Sequence, residues 1–407
     1  MQSAGAMWGH PQQREFRKSV KNPLVVGDQL PLAGLRVVTL EQAVAAPFCS
    51  RQLADMGADV IKVERPGVGD PSRGYDDSIR GQSAYFAWLN RGKRSVALEL
   101  SLPKDRAAFT RLVARADVFV HNLAPGAVER LGFGYEALAE THPRLIWCGI
   151  SGYGPDGPRR DSKAYDMLVQ AEAGVVSLTG TPDAPAKVGI SIADISAGLY
   201  AYSSILAALI RRGVTGTGDR IDISMLECLT EWVSPPLNVW HGTGTVPARG
   251  GVRHNMVVPY GAYACADGAV IFAVVNAGEW RRFCDGVMGA PDLADDRRFS
   301  SNALRLENRM ELETLIENRF RGQARVEVLG WLEAADIPTG SVNDVPAVAA
   351  HPQLAARGRW KMVESPGGEI PALVPPHNLS GVTPRMGPVP ALGEHTDEVL
   401  RELELEL

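Results

Sequence analysis

A chain of 407 residues exceeds what one hydrophobic core supports, since cores stop growing near roughly 250–300 residues, so two domains are the starting expectation. Its 42 Lys and Arg against 47 Asp and Glu leave a net charge of -5 with no single-sign block, which argues against a nucleic-acid partner, and apolar runs such as 205–210 fall short of the roughly 20 residues of a membrane span. Cysteines at 49, 148, 228, 265 and 284 form no CxxC pair and the 8 histidines show no ligand spacing, so a cytoplasmic protein without metal, disulfide scaffold or membrane contact is expected.

The first 26 residues lack the charged-then-apolar order of a signal peptide and read as a loosely ordered arm. From Leu35 onward a β-α-β rhythm sets in: LRVVTL, the helical PFCSRQLADMG, then ADVIKVE. It continues through SVALEL, a helix over 104–114, ADVFVHN, a helix around 127–131, and RLIWCGI at 144–150. Strands with Val and Ile on both faces predict a parallel sheet covered by helices on each side.

The turn-rich stretch 151–166, SGYGPDGPRRDSKAYD, interrupts that rhythm, and long loops of this kind often carry function. Helices are expected over 165–173 and 195–211, the second turning Leu199, Ile205, Leu206, Leu209 and Ile210 toward a core. RIDISMLE returns to a strand, and one Pro-containing helix near 229–240 leads out of the domain. Beyond 241, short alternating strands (GAYACADGAVIFAVV) and charged helices at 305–319 and 325–334 predict a smaller α+β domain. From about 346 the chain is again rich in Pro and Gly, and it closes with an amphipathic helix after Thr396.

Ligands of a doubly wound sheet sit at the carboxyl ends of its strands. EQAVAAPFC follows the first strand there. It lacks GxGxxG, which disfavours a dinucleotide loop, yet Ala43, Ala45 and Ala46 before Pro47 allow a flat ligand to approach; tight helix-to-sheet packing explains the same residues. Arg65, Lys93, Arg94, Arg130 and Lys163 fall beside predicted strand ends and could bind phosphate, although each alone reads equally as a solvated surface cation. Asp194 opens a helix among small and apolar neighbours (GISIADISAGLYAY), where a plain N-cap accounts for it as well as chemistry does. Asp166 is a second candidate acid, or else a first-turn complement to its helix dipole.

The blocks AAPFCSRQLADMGADVIKVERPGVGDPSR, NRGKRSVALEL, DVFVHNLAPGAVERLGFGYE, SGYGPDGP, ADISAGLYA and LGEHTDEVL, spread in order over residues 45–400, resemble the family III CoA-transferases (the CaiB/BaiF type). That resemblance implies an α/β fold with a Rossmann-like large domain built from both chain ends, a smaller α+β domain, and ring-shaped subunits in an interlocked homodimer. The expected division is 1–26 arm, 27–228 large CoA-binding domain, 229–345 linker and small domain, and 346–407 return to the large domain.

The same resemblance implies that Asp194, in its D-x-x-x-G block, is the nucleophile. It carries CoA contact over to Val44, Ala45, Arg65, Leu98, Asn122, Leu123, Arg130 and Lys163, with Arg65 and Lys163 at the adenosine and phosphate end. Coenzyme A and acyl-CoA are then substrates, with no tightly bound cofactor. Attack on a thioester gives a mixed anhydride, CoA thiolate converts it to an aspartyl-CoA thioester, and an acceptor acid reverses both steps. Asn276, Ala277 and Gly278 are similar to a site-covering glycine loop but keep only one glycine, which disfavours formyl transfer. NRGKRSVALEL, YDMLVQAEAGVVSLTGTPDAPAKVG and HNMVVPYGAYACADGAV look closest to members using dicarboxylates such as succinyl-CoA with hydroxymethylglutarate, itaconate or citramalate, and TEW at 230–232 is similar to itaconate enzymes. An α-methylacyl-CoA racemase using Asp194 as acid/base is the alternative enzyme, weakened because Tyr165 stands where racemases have histidine. A catalytically silent CoA-binding scaffold is the alternative without chemistry. His395 is expected to be a structural or dimer-contact residue.

Overall fold

The computed structural model describes residues 30–405, so the expected arm at 1–26 lies outside the described residues. Six strands, β1 (Arg36–Leu40), β2 (Asp59–Glu64), β3 (Arg94–Ala97), β4 (Val118–His121), β5 (Ile146–Ser151) and β6 (Arg220–Ser224), form one parallel sheet in the order β3-β2-β1-β4-β5-β6. Both faces of the sheet are apolar because both are covered. Val37, Val60, Val118, Ile146 and Cys148 point into one core, and Val38, Ile61, Val96, Phe119 and Trp147 into the other.

The helices of this layer are, in chain order, α1 (Ala45–Asp55), α2 (Ala84–Asn90), α3 (Pro103–Ala114), α4 (Ala127–Arg130), α5 (Tyr135–Ala139), α6 (Asp166–Glu172), α7 (Val175–Leu178), α8 (Ile192–Thr215), α9 (Met225–Trp232) and α10 (Ser234–Thr243). The last two were expected as one helix. They divide at Val233, with Pro235 and Pro236 in the first turn of α10, where missing N–H groups cost no helical bond.

Helix α8 is 24 residues long and apolar enough to cross a membrane by length and composition alone. Its buried side instead consists of Ala193, Ala197, Ala201, Ile205 and Ala208, packed with α1 and the sheet. This corrects part of the expected core face: Ile205 is buried and Leu206 and Leu209 pack, partly buried, against the same core, whereas Leu199 and Ile210 are exposed.

A second, antiparallel sheet holds β7 (Tyr260–Cys265), β8 (Gly268–Ala273) and β9 (Thr339–Gly340). Around it lie α11 (Ala277–Arg282), α12 (Asn302–Glu307), α13 (Arg309–Phe320) and α14 (Arg325–Ala334), sharing a core of Tyr263, Phe272, Trp280, Phe283 and Phe320. The single helix expected over 305–319 is broken at Asn308, whose amide donates to the Leu304 carbonyl at 2.9 Å and so ends α12.

After α15 (Val345–Ala349) and α16 (Pro352–Ala356), the hairpin of β10 (Trp360–Val363) and β11 (Ile370–Leu373) packs Val363 and Ile370 on Phe86 and Ala87 of α2. Helix α17 (Thr396–Leu405) then lies against α3 and β3. The chain before and at its start covers the outer edge of β3: the Ser95 N–H donates to His395 Nδ1 at 3.3 Å and the Ala97 N–H to Thr396 Oγ1 at 2.9 Å. His395 thus satisfies part of an otherwise open sheet edge.

Candidate functional site

The strand order reverses between β1 and β4, which opens a crevice where the loops after these strands part. Asn122 ties the two loops together, accepting from the Gln42 N–H and donating to the Gln42 carbonyl, each at 2.8 Å. Two cavities flank this bridge, and Gln42 and Leu123 line both. One, of about 410 Å³, lies over the carboxyl ends of β1 to β3; the other, of about 600 Å³, is walled by residues after β1, β4 and β5.

The loop after β1 is held in an unusual shape. Ala43 has φ of 58°, a region that a side chain disfavours, and its N–H donates to Asp70 Oδ1 at 3.1 Å. Asp70 is itself fixed by buried Lys62 at 2.6 Å. Glu41 joins this network through Lys93 at 2.7 Å and Ser50 at 2.6 Å. Burial alone would raise the Glu41 pKa, but Lys93 and Lys62 hold it below the ordinary carboxylate value. The outcome is a rigid turn that delivers Val44 and Ala45 to the larger cavity. Helix α1 begins there with no side-chain cap.

Asp194 lines the same cavity from the first turn of α8. The cap explanation does not describe it, because Asp166 performs that task from α6: its Oδ1 accepts from the Ala193 N–H at 2.8 Å and from the Asp194 N–H at 3.5 Å. Gln170 holds the other Asp166 oxygen at 2.7 Å. The Asp194 carboxylate is half-buried and has no hydrogen-bond donor among the described residues. Burial first, and the Asp166 charge second, push its pKa up to about 7.

Gly198 explains how Asp194 reaches this place. A Cβ at Gly198 would stand 2.5 Å from the Ala45 carbonyl oxygen, so its absence lets α8 lie on the start of α1. Four residues apart on a helix, Asp194 and Gly198 share a face, and the close contact at one aims the other at the α1 N-terminus. Gly152 acts likewise for the loop after β5: a Cβ there would meet that of Ala164 at 2.1 Å, and the fold-back brings Lys163 and Tyr165 to the cavity wall.

The structure distributes the residues singled out in the sequence as follows. Val44, Ala45, Asn122, Leu123 and Lys163 line the larger cavity with Asp194 and Asp166, while Arg65, Leu98 and again Leu123 line the smaller. Arg65 and Lys163, expected together at one phosphate end, are therefore in different cavities. Arg130 lines neither; it is exposed on α4, its guanidinium lying over Gly126.

Lys93 and Arg94 are also displaced from the expected phosphate edge, since Lys93 precedes β3 and Arg94 is its first residue, at the end opposite its carboxyl end. Lys93 is buried on Glu41, and Arg94 binds Asp59 and Glu402, each at 2.6 Å. Asn276, Ala277 and Gly278 line neither cavity: Asn276 caps α11 by accepting from the Glu279 N–H at 2.9 Å, and the two that follow lie at the beginning of that helix. Sequence reasoning did not find Gln42, Tyr75, Tyr85 or Arg106, all on cavity walls. The position of Gln42 directly after β1 was the available signal for it; no comparable pattern marks the tyrosines.

Comparison with known proteins points the same way as this geometry. A family model described as CoA-transferase family III matches residues 32–396. The succinate–glutarate CoA-transferase of Agrobacterium fabrum is 37% identical over 384 residues, covering 92% of this chain and 96% of its own. The succinyl-CoA:glutarate CoA-transferase of Homo sapiens is 34% identical, covering 92% and 86%. A crystal structure of a CAIB/BAIF family protein from Brucella suis superposes with a TM-score of 0.80 at 36% identity, covering 92% of this chain and all of that one.

Proposed function

From the premise that the chain belongs to CoA-transferase family III and is a CoA-transferase, we propose that it moves CoA from a dicarboxyl-CoA, succinyl-CoA foremost, to a second carboxylic acid through Asp194. The observation that carries the reading is a half-buried carboxylate on a cavity wall, free of hydrogen-bond donors because another acid takes over the capping of its helix. A carboxylate left so poorly solvated is a better nucleophile than one in water.

The Asp194 oxygen attacks the thioester carbonyl, and collapse of the tetrahedral adduct expels CoA thiolate and leaves an aspartyl-acyl anhydride. The uncapped N–H groups at the start of α1, beside Val44 and Ala45, are placed to stabilise the oxyanion. Thiolate then attacks the aspartyl carbonyl, releasing the donor acid and forming aspartyl-CoA thioester. The acceptor carboxylate attacks that thioester, thiolate leaves again, and its attack on the acceptor's acyl carbon returns the Asp194 carboxylate. No proton need be taken from either acid, which fits a site whose Lys163 is the single cation on the cavity wall among the described residues.

Anhydride and thioester both require shelter from water. We place that shelter at an interface of two chains. The Asn276–Gly278 segment lies away from both cavities of its own chain, and in a homodimer of interlocked ring-shaped subunits it would close the partner's site. The choice of dicarboxylates rests on the two glutarate-named relatives, which span nearly this whole chain.

Incubation with succinyl-CoA and hydroxylamine tests the mechanism. An Asp194 hydroxamate in the peptide mass spectrum is expected, together with transfer to glutarate. Transfer that persists in Asp194→Ala would remove the nucleophile from the scheme.

A further inference from the structure

We infer that Arg106 recognises the 3′-phosphate of CoA and gives this chain its preference for CoA over the dephosphorylated coenzyme, a step that rests on the CoA reading above. The smaller cavity has an apolar half formed by Leu40, Val63, Leu98 and Leu123, suited to a flat base. Its charged half is nearly self-neutralising. Glu41 and Asp70 are matched by Lys93 and Lys62, and Glu64 by Arg73 at 2.7 Å. Glu99 accepts from the Ser101 N–H and hydroxyl and feels the charge of Arg65. Two cations on the wall, Arg65 and Arg106, form no ion pair among the described residues; Arg65 still acts on Glu99, whereas Arg106 is exposed and uses only its Nε, donating to the Leu100 carbonyl at 3.3 Å. The terminal nitrogens of its fork remain available, the arrangement that binds phosphate in two contacts.

Position decides which phosphate this is. Arg106 belongs to α3, which follows the edge strand β3, and it lines only the cavity remote from Asp194. The diphosphate must run from the adenosine toward the thioester, across Gln42 and Leu123, where the cavities meet and where Lys163 stands beyond. The one CoA phosphate outside that diphosphate is on the ribose 3′ oxygen, where it branches away from the path toward the wall that Arg106 occupies. Doubly charged near neutral pH, it supplies the anion that the wall lacks.

Calorimetric titration of the full chain with CoA and with 3′-dephospho-CoA tests this. The wild type is expected to bind CoA about tenfold more tightly than dephospho-CoA, and Arg106→Gln to bind both at the weaker value. Arg106→Lys should restore part of the preference, as charge without the fork. Equal weakening of both ligands in Arg106→Gln, or an undiminished preference, would overturn the assignment while leaving the CoA reading intact. Failure of the wild type to bind either ligand would instead overturn the CoA reading, and this assignment with it. Because the side chain is exposed, an unchanged melting temperature identifies a folded variant.

Discussion

Two acids 28 residues apart divide the labour at the head of α8, and their different surroundings set their roles. Asp166 is tied to two backbone N–H groups and to Gln170, whereas the Asp194 carboxylate accepts no hydrogen bond among the described residues and is pushed up to about 7 by burial and by the Asp166 charge. The reactive form is the carboxylate, so kcat/KM should be level above pH 7 and fall about tenfold per pH unit below it. In Asp166→Asn the side-chain oxygen can still accept from the Ala193 N–H, but the negative charge is gone. Removing a like charge favours the ionised form of its neighbour, so the half-maximal pH of the acid limb should drop, by less than the full displacement because burial, the larger cause, remains. A pH–rate profile of the two proteins decides it; an acid limb that stays in place would show that Asp194 is not the titrating nucleophile. Sequence alone left Asp194 balanced between cap and chemistry, because a cap supplied from 27 residues upstream of Ala193 has no local signature. Nor could it say that Lys93 is buried on Glu41, or that Arg94, the first residue of β3, is taken up by Asp59 and Glu402.

At the scale of elements, the reactive geometry depends on how closely α8 lies on α1. The D-x-x-x-G spacing was readable as a motif, but its physical content, a helix crossing at backbone contact, required the sheet beneath it. A Cβ on Gly198 would sit 2.5 Å from a main-chain oxygen that has no flexible end to swing away, so the helices must part. Gly198→Ala should therefore lower stability by about 1–3 kcal/mol in chemical unfolding, as overpacking does, and lower kcat more than it raises KM, because the cavity wall formed by Arg65 and Leu98 is distant from the shift. Unaltered kcat would show that Asp194 tolerates the displacement. Leu199 and Ile210, expected in the core of α8, lie outside it because a helix apolar on most sides does not reveal which stripe faces inward; here that stripe runs through Ala193, Ala197, Ala201, Ile205 and Ala208. The break at Asn308 interrupts a stretch of otherwise steady helical composition, whereas the one at Val233 was marked by Pro235 and Pro236, which start a helix as readily as they interrupt one.

At the scale of the molecule, a parallel sheet under helices and a smaller α+β part were legible from β-α-β rhythm and from the change in composition past residue 241, whereas the strand order, the β10–β11 hairpin and its α2 seat were not, the last because that contact joins segments 270 residues and more apart. What the single chain leaves outward also bears on assembly. Trp232 on α9, Trp240 on α10 and Ile210 near the end of α8 are all exposed, and Ile210 is 74% accessible. Apolar side chains of this size gain about 1.5–3 kcal/mol each when removed from water, a drive toward a partner surface. If two rings pass through one another, as proposed for the homodimer, separation requires a ring to open, which means breaking the seat of the C-terminal segment on β3 as well as the interface itself. Subunit exchange should then be as slow as unfolding. Tagged and untagged dimers, mixed at native pH and sampled over a day by native mass spectrometry, should yield no mixed dimer, while mixing after denaturation and refolding should yield about half. Mixed dimers within minutes under native conditions would mean that the two chains meet face to face without threading.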